Sequence, residues 1–141
     1  MISLETARKL KTAGLGWEPS QGDRFAVPER GMDDRVFVIN DMATIIEMIQ
    51  GAEMVTFHGT PEWALDYVYL GEAVWLPDEG QLRELLHQRL AQEAQPVYDL
   101  LCLDEGFTCR FGWRGDALAF TAAEASEAYA AALLHVMGTP E

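Results

Sequence analysis

The sequence predicts an α+β fold of short hairpins and helices, ending in a three-stranded antiparallel meander covered by a capped helix. Three observations carry this. Residues 97–120 hold three apolar-rich runs split by two glycine-containing turns, the period-two signature of half-buried strands. An Ala- and Leu-rich stretch with helical spacing follows at once, from Thr121 to Met137. Upstream, helix-like stripes and strand-like runs alternate, with Gly and Pro between them.

Taken in chain order, Ser3 is the N-cap of a first helix. Leu4, Ala7 and Leu10 form its apolar stripe and Gly14 ends it. Residues 16–23 make a turn-rich loop around Trp17. Arg24–Val27 and Arg35–Ile39 read as two strands of a hairpin, with Pro28–Asp34 as a long charged tip. Asn40 or Asp41 caps a second helix holding Ile45, Ile46, Met48 and Ile49, closed by Gly51. Met54–Phe57 is a short strand. Thr60 and Pro61 open a third helix that runs to about Leu70, with Gly71 as its stop. Val74–Leu76 is extended. Pro77 and Asp78 begin a fourth helix with Leu82, Leu85, Leu86 and Leu90 as its core stripe.

The meander begins with Val97–Leu103 and Phe107–Trp113. With Glu105-Gly106 as a two-residue turn, Asp104 pairs with Phe107, Cys102 with Cys109, Leu100 with Phe111 and Tyr98 with Trp113. Alternation puts these side chains on one, nearly all apolar, face. Asp99, Leu101, Thr108 and Arg110 take the wetter face. A second turn at Arg114-Gly115 leads to Asp116–Phe120, so Leu118 and Phe120 extend the apolar face beside Phe111 and Cys109. Thr121 and Glu124 have the spacing of a capping box at a helix start. Ala125, Ala128 or Tyr129, Ala132, Leu133 and Val136 then form a stripe that covers the meander, with Gly138 and Pro140 as stop signals.

Length and charge bound the function. The 141 residues suit a single α+β domain spanning 1–141. Ten basic against twenty-three acidic residues leave a net charge of −13. That speaks against binding a nucleic-acid backbone or an anionic membrane, both of which need Lys and Arg. It suits solubility or a basic protein partner. No apolar run approaches the roughly 20 residues that span a bilayer, and the opening residues lack the pattern of a signal peptide. A cytoplasmic protein is the expectation. In that compartment Cys102 and Cys109 are reduced, either as small buried hydrophobes or as a facing pair able to act as a redox switch.

Several segments resemble small bacterial and phage proteins of unknown function that are often labelled pilus assembly proteins of the CpaE type. They are residues 7–15, Trp17 to Pro19 with Gly22-Asp23, Trp63 to Tyr67, Trp75 to Pro77 and Gln81 to Leu86. The resemblance implies at most a pilus-related partner. The ATPase associated with that label needs a Gly-rich phosphate loop with Lys before Ser or Thr. The only lysines here are Lys9 and Lys11, so the chain does not hydrolyse ATP by that mechanism.

No catalytic or cofactor motif stands out, so no cofactor is expected. The place for chemistry is the predicted strand-to-helix junction Phe57–Glu62. There a metal or acid–base cluster of His58, Glu62 and Asp66 is one reading. The plain alternative is a helix start in which Glu62 favours the helix dipole and Asp66 is solvated. Trp17, Trp63, Tyr67, Tyr69 and Trp75 form an aromatic-rich set that serves either a core or a binding surface. Trp17, in a loop, is the first candidate for a surface contact, with His58, Glu62, Trp63 and Asp66 as the others. The leading expectation is a non-catalytic protein-interaction module, meeting a protein partner or a second copy through the Trp17 loop or an uncovered sheet edge. The alternative is a small-molecule or metal binder, or an enzyme, around His58.

Overall fold

The computed structural model describes residues 1–28, 32–40, 44–57, 67–93 and 96–138, with backbone alone at 32–34, 57, 67 and 68. The described elements are α1 (Leu4–Thr12), β1 (Arg24–Val27), β2 (Met32–Val38), β3 (Thr44–Ile49), β4 (Ala52–Phe57), β5 (Tyr67–Tyr69), a 3-10 turn (Leu70–Glu72), β6 (Val74–Trp75), α2 (Glu79–Glu93), β7 (Tyr98–Leu103), β8 (Gly106–Trp113), β9 (Asp116–Ala122) and α3 (Ala125–Gly138). The mixture of helices and three antiparallel sheets is the α+β class expected. Two compact units emerge: Met1–Leu15 with Pro77–Glu141, and Gly16–Leu76.

The Gly16–Leu76 unit is built from two sheets of three strands, in the orders β2-β1-β6 and β3-β4-β5. Phe25, Val27, Phe37, Ile39, Val55 and Ala73 form its core, and Trp17, Ile46 and Leu70 pack against them. The β1–β2 hairpin is as expected, although β2 starts at Met32 rather than Arg35, and the register shifts between Phe25 and Val27.

The second helix is not there. Thr44–Ile49 is strand β3, paired residue for residue with β4. Three of the first three side chains of β3 are β-branched, which costs rotamer freedom in a helix and packs well on a pleated sheet. Gln50 and Gly51 have φ of 52° and 82°. They form the tight turn between Ile49 and Ala52, so the glycine read as a helix stop closes a hairpin. Asn40 does tie down the chain here, but to a strand. Its backbone N–H donates to the Thr44 carbonyl at 2.8 Å.

The third helix also fails over its described end. Tyr67–Tyr69 is β5, opposite Met54–Thr56. An aromatic, β-branched, aromatic run suits a strand beside an existing one. Residues 60–66, the rest of that predicted helix, lie outside the described residues.

In the other unit α1 is capped as expected, with Ser3 Oγ accepting from the Thr6 N–H at 3.1 Å. Glu127 of α3 holds the same turn. Its Oε1 accepts from the Ser3 N–H at 2.7 Å and its Oε2 from the Thr6 hydroxyl at 2.9 Å. The helix from Pro77 and Asp78 is α2, with Leu82, Leu86 and Leu90 buried. Its start is a capping box that the sequence reading missed. The Gln81 N–H donates to Asp78 Oδ1 at 2.8 Å and the Asp78 N–H to Gln81 Oε1 at 2.9 Å.

The meander β7-β8-β9 is present, with a corrected register. Leu103 opposes Gly106, so the turn is Asp104-Glu105; Cys102 opposes Phe107, and Leu100 opposes Cys109. The shift is two residues, so every side chain keeps its expected face. Gly106 is needed for a reason other than the turn. It has φ of +147°, and a Cβ there would collide with the Ala122 carbonyl of β9. The Arg114-Gly115 turn and the pairs Phe111 with Leu118 and Cys109 with Phe120 are as expected.

Thr121 does not cap a helix. It belongs to β9, opposite Thr108, and the two hydroxyls share a 2.8 Å hydrogen bond. Because β8 extends back to Gly106, the ladder to β9 continues through Ala122 and satisfies the backbone that a cap would have served. Helix α3 therefore starts at Ala125, with the Ala128 N–H donating to the Glu124 carbonyl. Ala125, Ala128, Tyr129, Ala132, Leu133 and Val136 are all buried, the stripe expected. They pack against β8 and β9, where Cys109, Phe111 and Trp113 are also buried.

Candidate functional site

His58, Glu62, Trp63 and Asp66 lie outside the described residues. Among the described residues no group of three or more His, Cys, Asp or Glu side chains could hold a metal ion. Trp17 is the one sequence-derived candidate that is placed. It is half-buried, stacked on Trp75 at 6.2 Å between centroids and 7° between planes, and tilted on Phe25 at 5.8 Å. Its indole N–H donates to Asp23 Oδ2 at 2.9 Å, and the Ser20 N–H donates to the same oxygen at 3.0 Å. Asp23 is buried, so it organises the loop from within. Trp17 thus continues the aromatic row that joins Phe25 to Phe37, with one flank left to solvent.

Further surface features lie on the strands, and of their side chains sequence reasoning singled out Tyr69 alone. Val36 and Val38 of β2, Met48 of β3, Tyr69 of β5, and Val97 and Leu103 around β7 are exposed large apolar side chains. Five of these six belong to β2, β3, β5 or β7, which end their sheets, and Val97 leads into β7. The signal was present as alternation, but alternation alone does not say which strand is an edge.

The open face of β7-β8-β9 carries a bidentate ion pair. Arg110 Nε donates to Asp99 Oδ1 at 2.9 Å and Arg110 Nη2 to Asp99 Oδ2 at 2.6 Å. These bonds hold the Asp99 carboxyl below its ordinary range and the guanidinium above its own. The pair borders a shallow depression of about 430 Å³, lined also by Val97, Gly112, Ala117 and Ala119. A second depression of about 360 Å³ lies toward the end of α2, where Arg114 pairs with Glu93 at 2.9 Å and sits 4.9 Å above the Trp113 ring. The Trp113 indole N–H is buried without a hydrogen-bond partner among the described residues.

The facing-thiol expectation needs correction. Both cysteines are free. The register sets them diagonally, with Leu100 opposite Cys109 and Phe107 opposite Cys102, too far apart for the short Cβ separation of a disulfide. Cys109 is buried, which pushes its thiol from the ordinary 9.0 up to about 11, with the Asp99 charge adding to the effect. Cys102 is exposed.

Among the described residues no helix is long and apolar enough to cross a membrane. Compared with known proteins, the chain matches no family model, no curated protein and no solved structure.

Proposed function

We propose that this chain is a small acidic cytoplasmic protein-interaction module without catalysis of its own. The observation that supports this most is the set of exposed apolar side chains on strands that end their sheets. Solvent-facing apolar groups beside unpaired backbone are a template for an added strand or an apposed surface. Residues 16–76 carry eleven acidic and three basic residues. Met48, 70 % exposed on β3, stands beside Glu47 and opposite Glu53. That combination suits a protein partner with an apolar anchor flanked by Lys or Arg, and charge of this sign speeds encounter with such a partner. A pilus-related protein fits this reading through the sequence resemblance alone.

The test is comparative capture from lysate with tagged wild type and Met48→Lys. The reading expects one defined basic protein to be retained by the wild type, to fall at least about tenfold with the variant, which replaces an apolar anchor with a repelling charge, and to be released by added salt. Equal capture by both forms would overturn the Met48 surface as the binding site.

A further inference from the structure

We infer that β7 is the seam of a homodimer, in which β7 of two copies pairs antiparallel about a two-fold axis and two three-stranded sheets become one of six strands. This rests on the interaction-module reading only in that it names a second copy as one partner, and it uses a different surface from Met48.

Strand β7 is an unguarded edge. It ends the order β7-β8-β9, and among the described strands only β8 pairs with it. Edge strands are usually blunted by Lys, Pro, a bulge or an inward charge. Residues 98–103 contain no Pro and no Lys, and their register against β8 runs unbroken from Tyr98 to Leu103. Their single charge, Asp99, is bound at both oxygens by Arg110. The edge is therefore locally neutral on a chain of net charge −13. Two such molecules repel over most of their surface, so contact between copies is least costly where charge is already paired.

The alternation of side chains limits how two copies of β7 can pair. Residues directly opposite in an antiparallel pair share a face. Within β7 the even positions lie on the face that α3 covers and the odd positions on the open face. A two-fold pairing that preserves both faces must then pass its axis through a residue. An axis at Asp99 would set that carboxylate against its own copy. An axis at Leu101 would leave Val97 opposite the acidic turn at Glu105. An axis at Leu100 sets Leu100 against itself, Tyr98 against Cys102, Asp99 against Leu101 and Val97 against Leu103.

That last pair decides the register. Val97 is 73 % exposed and Leu103 49 % exposed. Each is three residues from Leu100, on opposite sides of it. The symmetric strand pair covers both, twice. It also places the acidic turn residue Asp104 opposite Pro96, so no acid meets an acid across the seam. An isologous contact of this kind is closed and stops at two copies.

The test is the mass in solution of the full chain, purified alone and measured by light scattering over a wide range of concentration. Wild type is expected as a dimer. Val97→Lys with Leu103→Lys puts like charges opposite each other and is expected to be a monomer, with the dissociation constant raised at least about tenfold. Both side chains are exposed, so circular dichroism and melting of the monomer should stay native. Val97→Lys with Leu103→Glu sets Lys against Glu across the Leu100 axis and is expected to dimerise again. A wild type that stays monomeric at the highest attainable concentration overturns the seam. So does a dimer that survives the double lysine, or a Lys–Glu variant that stays monomeric like the double lysine. Capture through Met48 is read separately, so loss of the dimer with capture intact removes the seam and leaves the module reading standing.

Discussion

Gly106 shows how a single residue acts through a neighbour distant in sequence. Its φ of +147° and its closeness to the Ala122 carbonyl leave no room for a Cβ. Gly106→Ala is expected to lower stability by about 1–3 kcal/mol, read as a lower urea midpoint with unchanged slope. Trp17 acts in the opposite sense, through what its side chain touches. Its stacking on Trp75 and Phe25 and its bond to Asp23 make Trp17→Ala a packing loss of about 2 kcal/mol, below the usual cost for a fully buried aromatic because one flank is open. The cysteines separate by chemistry. An alkylating reagent in native buffer should modify Cys102 and spare Cys109 until urea unfolds the chain. Burial raises the Cys109 thiol from 9.0 to about 11. The unfolded thiol ionises first, so the stability this group contributes is complete below pH 9 and is lost as pH rises toward 11. A urea midpoint that falls across that window in wild type, and less steeply in Cys109→Ala, is the expected result. Asp99 has the reverse sign. Its carboxyl is lowered by Arg110, so its contribution is present above the ordinary carboxylate range and lost in acid, as pH falls through the lowered value.

At the scale of elements, the helices were legible because their signals are local. Ser3, the leucine stripe of α2 and the alanine stripe of α3 each specify a helix within a few residues of themselves. The cap of α2 is local too. Asp78→Ala is expected to cost about 1 kcal/mol, measurable by thermal melting, because it removes both the side-chain acceptor for the Gln81 N–H and the box that Gln81 completes. Strand β3 reads as a helix because Ile45, Ile46 and Ile49 fit a helical stripe over so short a window. What makes it a strand is β4, whose backbone offers β3 a partner along all six residues. The turn at Gln50-Gly51, with both residues at positive φ, is the local clue that was available. Thr121 failed as a cap for the same kind of reason, since Thr108 and the β8 ladder reached it first.

At the scale of the whole molecule, function is carried by surfaces. Trp17 and Trp75 belong to an aromatic set that the sequence leaves open between core and binding surface, and packing stacks the two on each other and joins Trp17 to the Phe25–Phe37 core. The exposed apolar groups on β2, β3 and β7 form the candidate surface instead. The acidic balance of residues 16–76 makes partner capture sensitive to ionic strength, whereas the neutral β7 seam should hold its dimer as salt rises. A dimer mass that is constant from low to high salt, alongside partner capture that declines, is the combined pattern expected.

The α+β class, the three-stranded meander under its helix, the face of every meander side chain and the helices α1, α2 and α3 are legible from the residues alone, because period and capping are written within single segments. The β7–β8 register, the strands β3 and β5, the diagonal placement of the cysteines and the open edges emerge only in the folded chain. Those depend on which segments become neighbours, and the hydrogen-bonding and packing that a neighbour supplies outweigh the propensity of a short run of residues.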